Sequence, residues 1–373
     1  LIEVPSSLFM ENFLLTLPYH AEPDYVVRLL LKRTYPQIDS PWRPRIFAVL
    51  KKWAQTYPED FGQTDLLRNL LAQAKEITDL DKHGITFHDR EAERLLRALT
   101  SSLKTMRKEI ETPLEFAMWP SFLADPQQYD AYAINLFKQD KDTKVVAFEM
   151  AVLAQQRLQS LSGRDFIKKG YSETRRNQMV ISEHMARWVG TTVLIHREPK
   201  VCCQTVNRWL KTARECLDMN NFNSLFEIMV GLQQTPVMRI VKTEDQLDSK
   251  LLADLKHITA MDNNYKAYRT ALFREKGRPC VPYFGVLLRD MLGYEEAKPK
   301  IKSKFEDGTV WVNLKKCERM GQLVSDALLF KGNRYSHRSS KKTRALIENS
   351  MRSARNEDAL YELSYEIRPR GVR

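Results

Sequence analysis

Glycine is scarce in this chain, 13 among 373 residues, and the nearest pair, Gly163 and Gly170, lie too far apart to form either GxxxxGK or GxGxxG. A loop that cradles phosphates needs closely spaced glycines so that backbone amides can approach the ligand. Their absence argues against a phosphate-loop hydrolase, a kinase and a dinucleotide-binding enzyme. GxSxG and HExxH are missing as well, which removes the nucleophile elbow and the helical zinc protease. The five cysteines (Cys202, Cys203, Cys216, Cys280 and Cys317) form no CxxC pair and are odd in number. They outline neither a disulfide framework nor a zinc site, and a reducing, intracellular compartment fits them best. The seven histidines are scattered without ligand spacing. No metal and no cofactor are expected.

Long apolar runs are also missing. None approaches the ~18 residues of a membrane span, and the early LFMENFLLTL is interrupted by polar and charged residues. The expectation is a soluble chain. It opens at Leu1, already within a helical pattern, and so reads as part of a longer protein. Lys and Arg outnumber Asp and Glu by 59 to 47, a net charge of +12. That balance permits nucleic acid, an anionic membrane surface or an acidic protein as partner. With no RNP-like aromatic block and no zinc finger, nucleic acid rests on charge alone and is not the expected partner.

What is present is helical periodicity over most of the length, with 43% hydrophobic residues to fill a core. The fold class expected is all-α, strands being minor. A first helix over 9–17 ends at Pro18, a second over 24–33 is capped by Asp24, and a third over 45–56 buries Ile46, Val49, Leu50 and Trp53. Residues 65–112 continue as helix around a polar loop at 79–89. Residues 112–140, interrupted by Thr112-Pro113, Trp119-Pro120 and Asp125-Pro126, read as a linker. A helix follows over 145–161 with Glu149 and Arg157 as surface charges. Residues 163–178 read as an exposed basic segment, and Ser182 as the cap of a helix running to 196. The run KPKIKSK at 298–304 is expected to be solvated. Helices over 313–330 and 343–354 complete the pattern as a pair.

One stretch organises the rest: ARECLDMNNFNSLFEIMVGLQQTPVMRIVKTE at 213–244. Val206, Trp209, Leu210, Ala213 and Leu217 recur at helical spacing before it turns, and Leu225, Ile228, Met229 and Leu232 do so afterwards. Between them Asn220, Asn221 and Asn223 suit a break, because asparagine competes for backbone groups within a helix and satisfies them at a cap. On these residues alone the stretch is a helix-to-helix corner.

The same stretch resembles the catalytic domain of the Ras-family guanine-nucleotide exchange factors, in which a long helix enters a similar Asn-Phe-Asn turn. NYKAYR at 264–269, PCVPYFG at 279–285, VNL at 312–314, ELS at 362–364 and Pro369-Arg370 resemble that family's blocks in the family's order. FLLT, the Leu-rich second helix, VLKKW and YPEDF resemble its N-terminal module. The resemblance implies an N-terminal module over 1–111 that braces a catalytic domain over 141–373. It implies exchange on a Ras-subfamily GTPase, Ras or Rap, by a cytoplasmic protein recruited to membranes. It places Asn221, Asn223, Arg239, Asn264, Tyr265, Tyr283 and Leu314 at the GTPase-binding surface. It further implies a protruding helical hairpin that opens the first switch, with Leu323 as the apolar wedge and Asp326 as the acid. The chain departs from the family at Glu244, where Trp is frequent, and at Arg368, where Glu is usual. These departures keep open a non-catalytic adaptor with the same fold.

Overall fold

A computed structural model describes residues 7–32, 43–61, 97–98, 100–101, 126–137, 142–167, 173–242, 244–274, 277–297, 301–304, 310–335 and 341–369. The described residues are predominantly helical, as the periodicity leads one to expect. The exception is one antiparallel pairing of two short strands, Ile301–Lys304 (β1) with Val310–Val312 (β2). The expected solvated run at 298–304 thus contains a strand. Alternating Lys hides a strand from a charge-based reading, because in an isolated sequence a basic run has no visible pairing partner. The expected helix over 65–112 lies almost wholly outside the described residues, as does the first half of the linker.

The chain divides into two compact units. The first contains α1 (Ser7–His20), α2 (Pro23–Lys32), α3 (Arg43–Thr56) and the stretch Tyr294–Gln322. Leu14, Leu17, Val27, Leu30, Ile46, Val49, Leu50 and Trp53 form its core with Phe61. The Trp53 indole N–H, buried within it, donates to Asp60 Oδ2 at 2.6 Å, which satisfies a donor that burial alone would leave unpaired. α1 runs past Pro18 to His20. Proline removes one backbone donor but does not stop the following residues from completing a last turn. α2 begins at Pro23, so Asp24 lies within its first turn, and there it accepts from Arg28 Nε at 2.6 Å. In the same unit Lys316 is buried, its Nζ donating to Glu295 O at 2.8 Å and lying 4.9 Å from the centre of the Tyr19 ring. A Cβ added to Gly321 would stand 2.2 Å from Asn12 Oδ1, so only glycine admits this approach.

The second unit is a helical bundle. α4 (Asp130–Ile134), α5 (Asp142–Ser160), α6 (Glu173–Leu194), α7 (Pro199–Asp218) and α8 (Phe222–Leu232) are followed by α9 (Thr235–Val241), α10 (Ser249–Thr259), α11 (Asp262–Arg274) and α12 (Phe284–Ala297). α12 passes into the first unit at Tyr294, and α13 (Leu314–Leu328) leaves it after Gln322; α14 (Lys341–Met351) and α15 (Glu357–Ile367) complete the chain. Trp188 and Trp209 meet edge-on at 5.1 Å in its centre. Their indoles donate to Ser350 Oγ at 2.8 Å and Thr192 Oγ1 at 2.7 Å.

Five expectations change in this unit. The expected exposed segment at 163–178 buries Arg164, Phe166 and Gln178, and from Glu173 it belongs to α6. The second half of the expected linker is folded: α4 packs on α14, and Asp130 accepts two bonds from Arg355 Nη2 at 2.8 Å. α6 starts at Glu173, so Ser182 is interior to the helix and caps nothing. Glu149 and Arg157 are buried at 1% and 2% exposure. Their partners, Arg344 and Glu227, are remote in sequence and invisible to a local reading. Finally, α14 packs against α4, α5 and α8's neighbour α6, with Ile347, Ser350 and Met351 buried. The second helix of the expected protruding pair therefore belongs to the body of the unit, because its apolar face is already occupied there.

Candidate functional site

The Asn turn is built from two overlapping caps. Asn220 adopts φ 61°, the left-handed conformation asparagine tolerates better than most residues. Its N–H bonds Leu217 O at 3.0 Å and the next N–H, of Asn221, reaches back to Cys216 O at 2.8 Å. This pair of bonds is the Schellman closure of a helix C-terminus. Asn221 then starts α8, its Oδ1 accepting from Ser224 N at 3.2 Å. One residue ends a helix and caps the next.

The segment preceding α12 docks on this turn. Val281 N donates to Asn220 O at 3.0 Å and Asn223 N donates to Val281 O at 3.3 Å, a short parallel bridge between Asn221 and Val281. Asn223 Oδ1 accepts from Phe284 N at 3.4 Å. Tyr283 N donates to the Tyr268 hydroxyl at 2.8 Å. The Tyr283 ring lies flat on Phe226, 4.0 Å between centroids and 9° between planes. Tyr268 meets Phe222 and Phe226 edge-on at 5.3 Å, and Tyr265 stands 6.1 Å from Phe226. Burial, followed by the charges of Tyr265 and Glu227, pushes the Tyr283 phenol up to about 12, so it remains a neutral hydrogen-bonding group. A Cβ on Gly285 would come 2.5 Å from the Tyr283 ring. Glycine there lets the ring fold back over its own chain.

α11 begins with three successive left-handed residues, Asn263, Asn264 and Tyr265, at φ 48°, 57° and 59°. For a bulky Tyr this conformation is unusual and costs of order 1 kcal/mol or more. The aromatic contacts of Tyr265, and Arg289 at 5.4 Å over its ring, hold it there. Asn264 is exposed, with its backbone oxygen accepting from Arg269 Nε at 2.8 Å and Oδ1 from Arg269 Nη2 at 3.4 Å. Arg269 is fixed in turn by Asp290 at 2.7 Å. Beside this turn α10 and α11 border a groove of about 460 Å³ lined by Ile258, Ala260, Ala267 and Ala271 with Lys266 and Arg274 at its edge.

Three of the sequence blocks therefore meet: the Asn turn, NYKAYR and PCVPYFG. The individual residues separate into layers. Asn264 is exposed and Tyr283 half-buried, while Tyr265 is buried at 8% and Asn221 and Asn223 at 0%. The last three support the surface from beneath and do not line it. Arg239 stands elsewhere: its Nη1 donates to Ser364 O at 2.7 Å, its Nη2 to Arg368 O at 2.9 Å, and its guanidinium lies 4.7 Å over Tyr365. It braces the C-terminus of α15, adding a second donor to Ser364 O, which also accepts from Arg368 N at 3.0 Å. Leu314 is 40% exposed at the start of α13, Leu323 is half-buried and Asp326 exposed. None of these three joins the aromatic cluster. Phe226 and Tyr268 were the residues missed. The i, i+4 spacing of Phe222 with Phe226 and the i, i+3 spacing of Tyr265 with Tyr268 were the signals that put their rings on shared faces.

Residues 145–318, a little under half of the chain, match the RasGEF domain. Over those residues the chain is similar to a RasGEF domain. It is 24% identical over 387 residues to Ras guanine nucleotide exchange factor S of Dictyostelium discoideum, an alignment covering 98% of this chain and 36% of that protein. It is 25% identical over 243 residues to factor M of the same organism, covering 63% and 26%. It is 22% identical over 338 residues to Ras-specific guanine nucleotide-releasing factor 1 of Rattus norvegicus, covering 87% and 26%. The chain spans about a quarter to a third of these relatives' length. The RasGEF match contains the Asn turn, the left-handed turn of α11, Tyr283 and all of α12, so the convergent blocks lie within the matched stretch. It stops within α13, before Leu323 and Asp326.

Proposed function

We propose that the RasGEF domain accelerates GDP release from a Ras-subfamily GTPase, Ras or Rap, by binding the nucleotide-free GTPase more tightly than the loaded one. The observation that carries this reading is the platform beneath Asn264 and Tyr283, in which three separated stretches are joined by the hydrogen bonds of the Asn turn and by five rings in mutual contact, one pair stacked and the others edge-on or tilted. A catalyst of exchange has no covalent bond to break and needs no nucleophile. It needs a preorganised surface whose contacts grow as the nucleotide leaves. Nanomolar nucleotide binding corresponds to about 12 kcal/mol, and protein–protein contacts must offset a comparable sum. A surface held in one conformation loses little entropy in making them.

Opening the GTPase calls for an apolar group beside the Mg²⁺ position, where it offers no ligand, and a carboxylate that can pair with the phosphate-loop lysine once phosphate has gone. Two observations favour α12 over the Leu323–Asp326 pair of α13 as the helix that supplies them. α12 grows directly from the platform, Phe284 N being bonded to Asn223 and Arg289 lying over Tyr265. It also carries Leu292 at 37% exposure, within the same unit as the platform, whereas Leu323 is half-buried. Leu292 is accordingly the residue to which we assign the apolar role.

The first unit supports the reading of 1–111 as a brace. Lys316 and Gly321 of α13 are seated against Tyr19 and Asn12 of α1. The net charge of +12 favours residence at an anionic membrane surface, where such GTPases would be met. The test is release of labelled GDP from purified Ras, Rap, Ral and a Rho protein. Acceleration with Ras or Rap supports the reading. Acceleration of none of the four leaves the adaptor, and acceleration of the Rho protein alone removes the assignment.

A further inference from the structure

Three helices of the second unit meet at one carboxylate oxygen. Glu227, on α8 and 3% exposed, accepts at Oε1 from Arg157 Nη1 of α5 at 2.7 Å, from Ser182 Oγ of α6 at 2.8 Å and from Asn223 Nδ2 at 2.9 Å. Its other oxygen, Oε2, is buried without a hydrogen-bond partner. Arg157 is completed by Gln178, to which Nε donates at 2.9 Å, and by Ser182 Oγ, to which Nη2 donates at 2.8 Å. Its guanidinium carbon stands 5.6 Å from the centre of the Phe284 ring.

Stability alone gives no reason for this arrangement. Exchanging a buried ion pair for apolar residues of similar volume is often neutral or favourable, and an unpaired buried oxygen costs roughly 1–3 kcal/mol. What the cluster does provide is a decision about orientation. A carboxylate accepts only, so the amide of Asn223 must present its NH₂ to Glu227, and its oxygen then necessarily faces Phe284 N, the first residue of α12. An uncharged residue at 227 would leave that choice open. The neighbour of Phe284 is Tyr283, whose ring lies on Phe226 one residue before Glu227.

We infer that Glu227, held by Arg157, is a positioning residue of the exchange surface: it fixes the amide of Asn223 and, through it, the start of α12 and the seat of Tyr283. The inference rests on the exchange reading given above, but its coupling to α12 is measurable without a GTPase. Glu227→Gln keeps size and removes charge. It is expected to lower kcat for GDP release about tenfold with KM for the GTPase changed less than about threefold, the signature of geometry lost in the transition state. Glu149→Gln is the matched control, a carboxylate of α5 that is equally buried and paired with Arg344 of α14, and it is expected to lower melting temperature with kcat unchanged. Combining Glu227→Gln with Asn223→Ala is expected to lower kcat no further than Asn223→Ala alone, because both act at one amide. Independent, multiplicative losses would overturn the inference.

Amide hydrogen exchange at Phe284 separates this inference from the reading on which it rests. Faster exchange in Glu227→Gln but not in Glu149→Gln upholds the coupling even if the wild-type chain releases no GDP, in which case the reading fails and the coupling stands. Unchanged protection of Phe284 overturns the coupling even if the wild-type chain is active. Should Glu227→Gln not fold, Ser182→Ala removes one of the three donors to the same oxygen and is expected to show the same exchange pattern at smaller amplitude; its absence there counts equally against the inference.

Discussion

Glu244 and Arg368 are partners: Arg368 Nη2 lies 3.3 Å from Glu244 Oε1, although 124 residues separate them in sequence. These are the two positions at which the chain departs from the family pattern on which the adaptor reading leaned. They form an ion pair at the foot of α15, beside the Arg239 bonds to Ser364 and Arg368. A departure that is compensated within the fold carries no argument for lost activity. For a partly exposed pair the expected cost of Arg368→Glu is about 1 kcal/mol or less plus like-charge repulsion, recovered in Glu244→Arg/Arg368→Glu. Chemical denaturation of the two single variants and the double variant checks this. GDP release should be the same in all three.

The left-handed turn separates backbone from side chain at Asn264. Glycine adopts φ near 57° without strain, so Asn264→Gly is expected to fold at least as stably as wild type, whereas Asn264→Ala should lose about 1 kcal/mol. Both variants remove the exposed amide, and both are expected to slow exchange. Thermal melts alongside GDP release distinguish the two contributions. An Asn264→Gly variant with full activity would remove Asn264 from the contact surface.

Acid should weaken the second unit through His184. Burial, with Arg187 nearby, holds this imidazole down at about 4, while its Nε2 contacts Met351 O at 2.9 Å. The neutral ring is the native form. Because the folded pKa is depressed, the unfolded chain gains a proton first: stability is intact above about pH 6.5 and is lost as pH falls toward 4, at up to roughly 1.4 kcal/mol per pH unit. His196, also lowered by burial and by Arg208, acts in the same direction. Stability is expected to fall by about 2 kcal/mol between pH 7.5 and 5 from His184 alone. His184→Gln should flatten that profile even if it lowers stability at neutral pH. An equally steep profile in the variant would assign the acid sensitivity elsewhere.

Leu292 and Leu323 test which helix acts on the GTPase. Leu292→Ala removes an exposed side chain and should cost under about 0.5 kcal/mol of stability while slowing GDP release at least tenfold. Leu323→Ala, at a half-buried position, should do the reverse, lowering stability by roughly 1–2 kcal/mol with release near wild type. Exchange of the two outcomes would return the wedge to α13.

Much of the fold was legible because apolar residues at helical spacing announce themselves locally. Ile46, Val49, Leu50 and Trp53 are buried together as their spacing implies, and the three asparagines do close one helix and open the next. What was not legible depends on distance. Arg157 looks like a solvated charge until Glu227 is placed against it, Ser182 looks like a cap until both are, and Glu244 looks anomalous without Arg368. Pro18 does not end α1, since a missing donor near a helix end leaves room for two more residues. In the site, periodicity found the Asn corner but assigned it no role. The resemblance assembled the three blocks, and the ring contacts of Phe226 supply the physical reason they meet.

Differential binding is measured directly by the affinity of the wild-type chain for one Ras or Rap protein in two states. Titrating the chain with the nucleotide-free GTPase and with the same GTPase loaded with GDP and Mg²⁺ should give dissociation constants that differ by at least about 100-fold in favour of the empty form, a coupling of roughly 2.7 kcal/mol or more. Equal affinities for the two forms would contradict the account, because a protein that binds both alike cannot shift the balance between them.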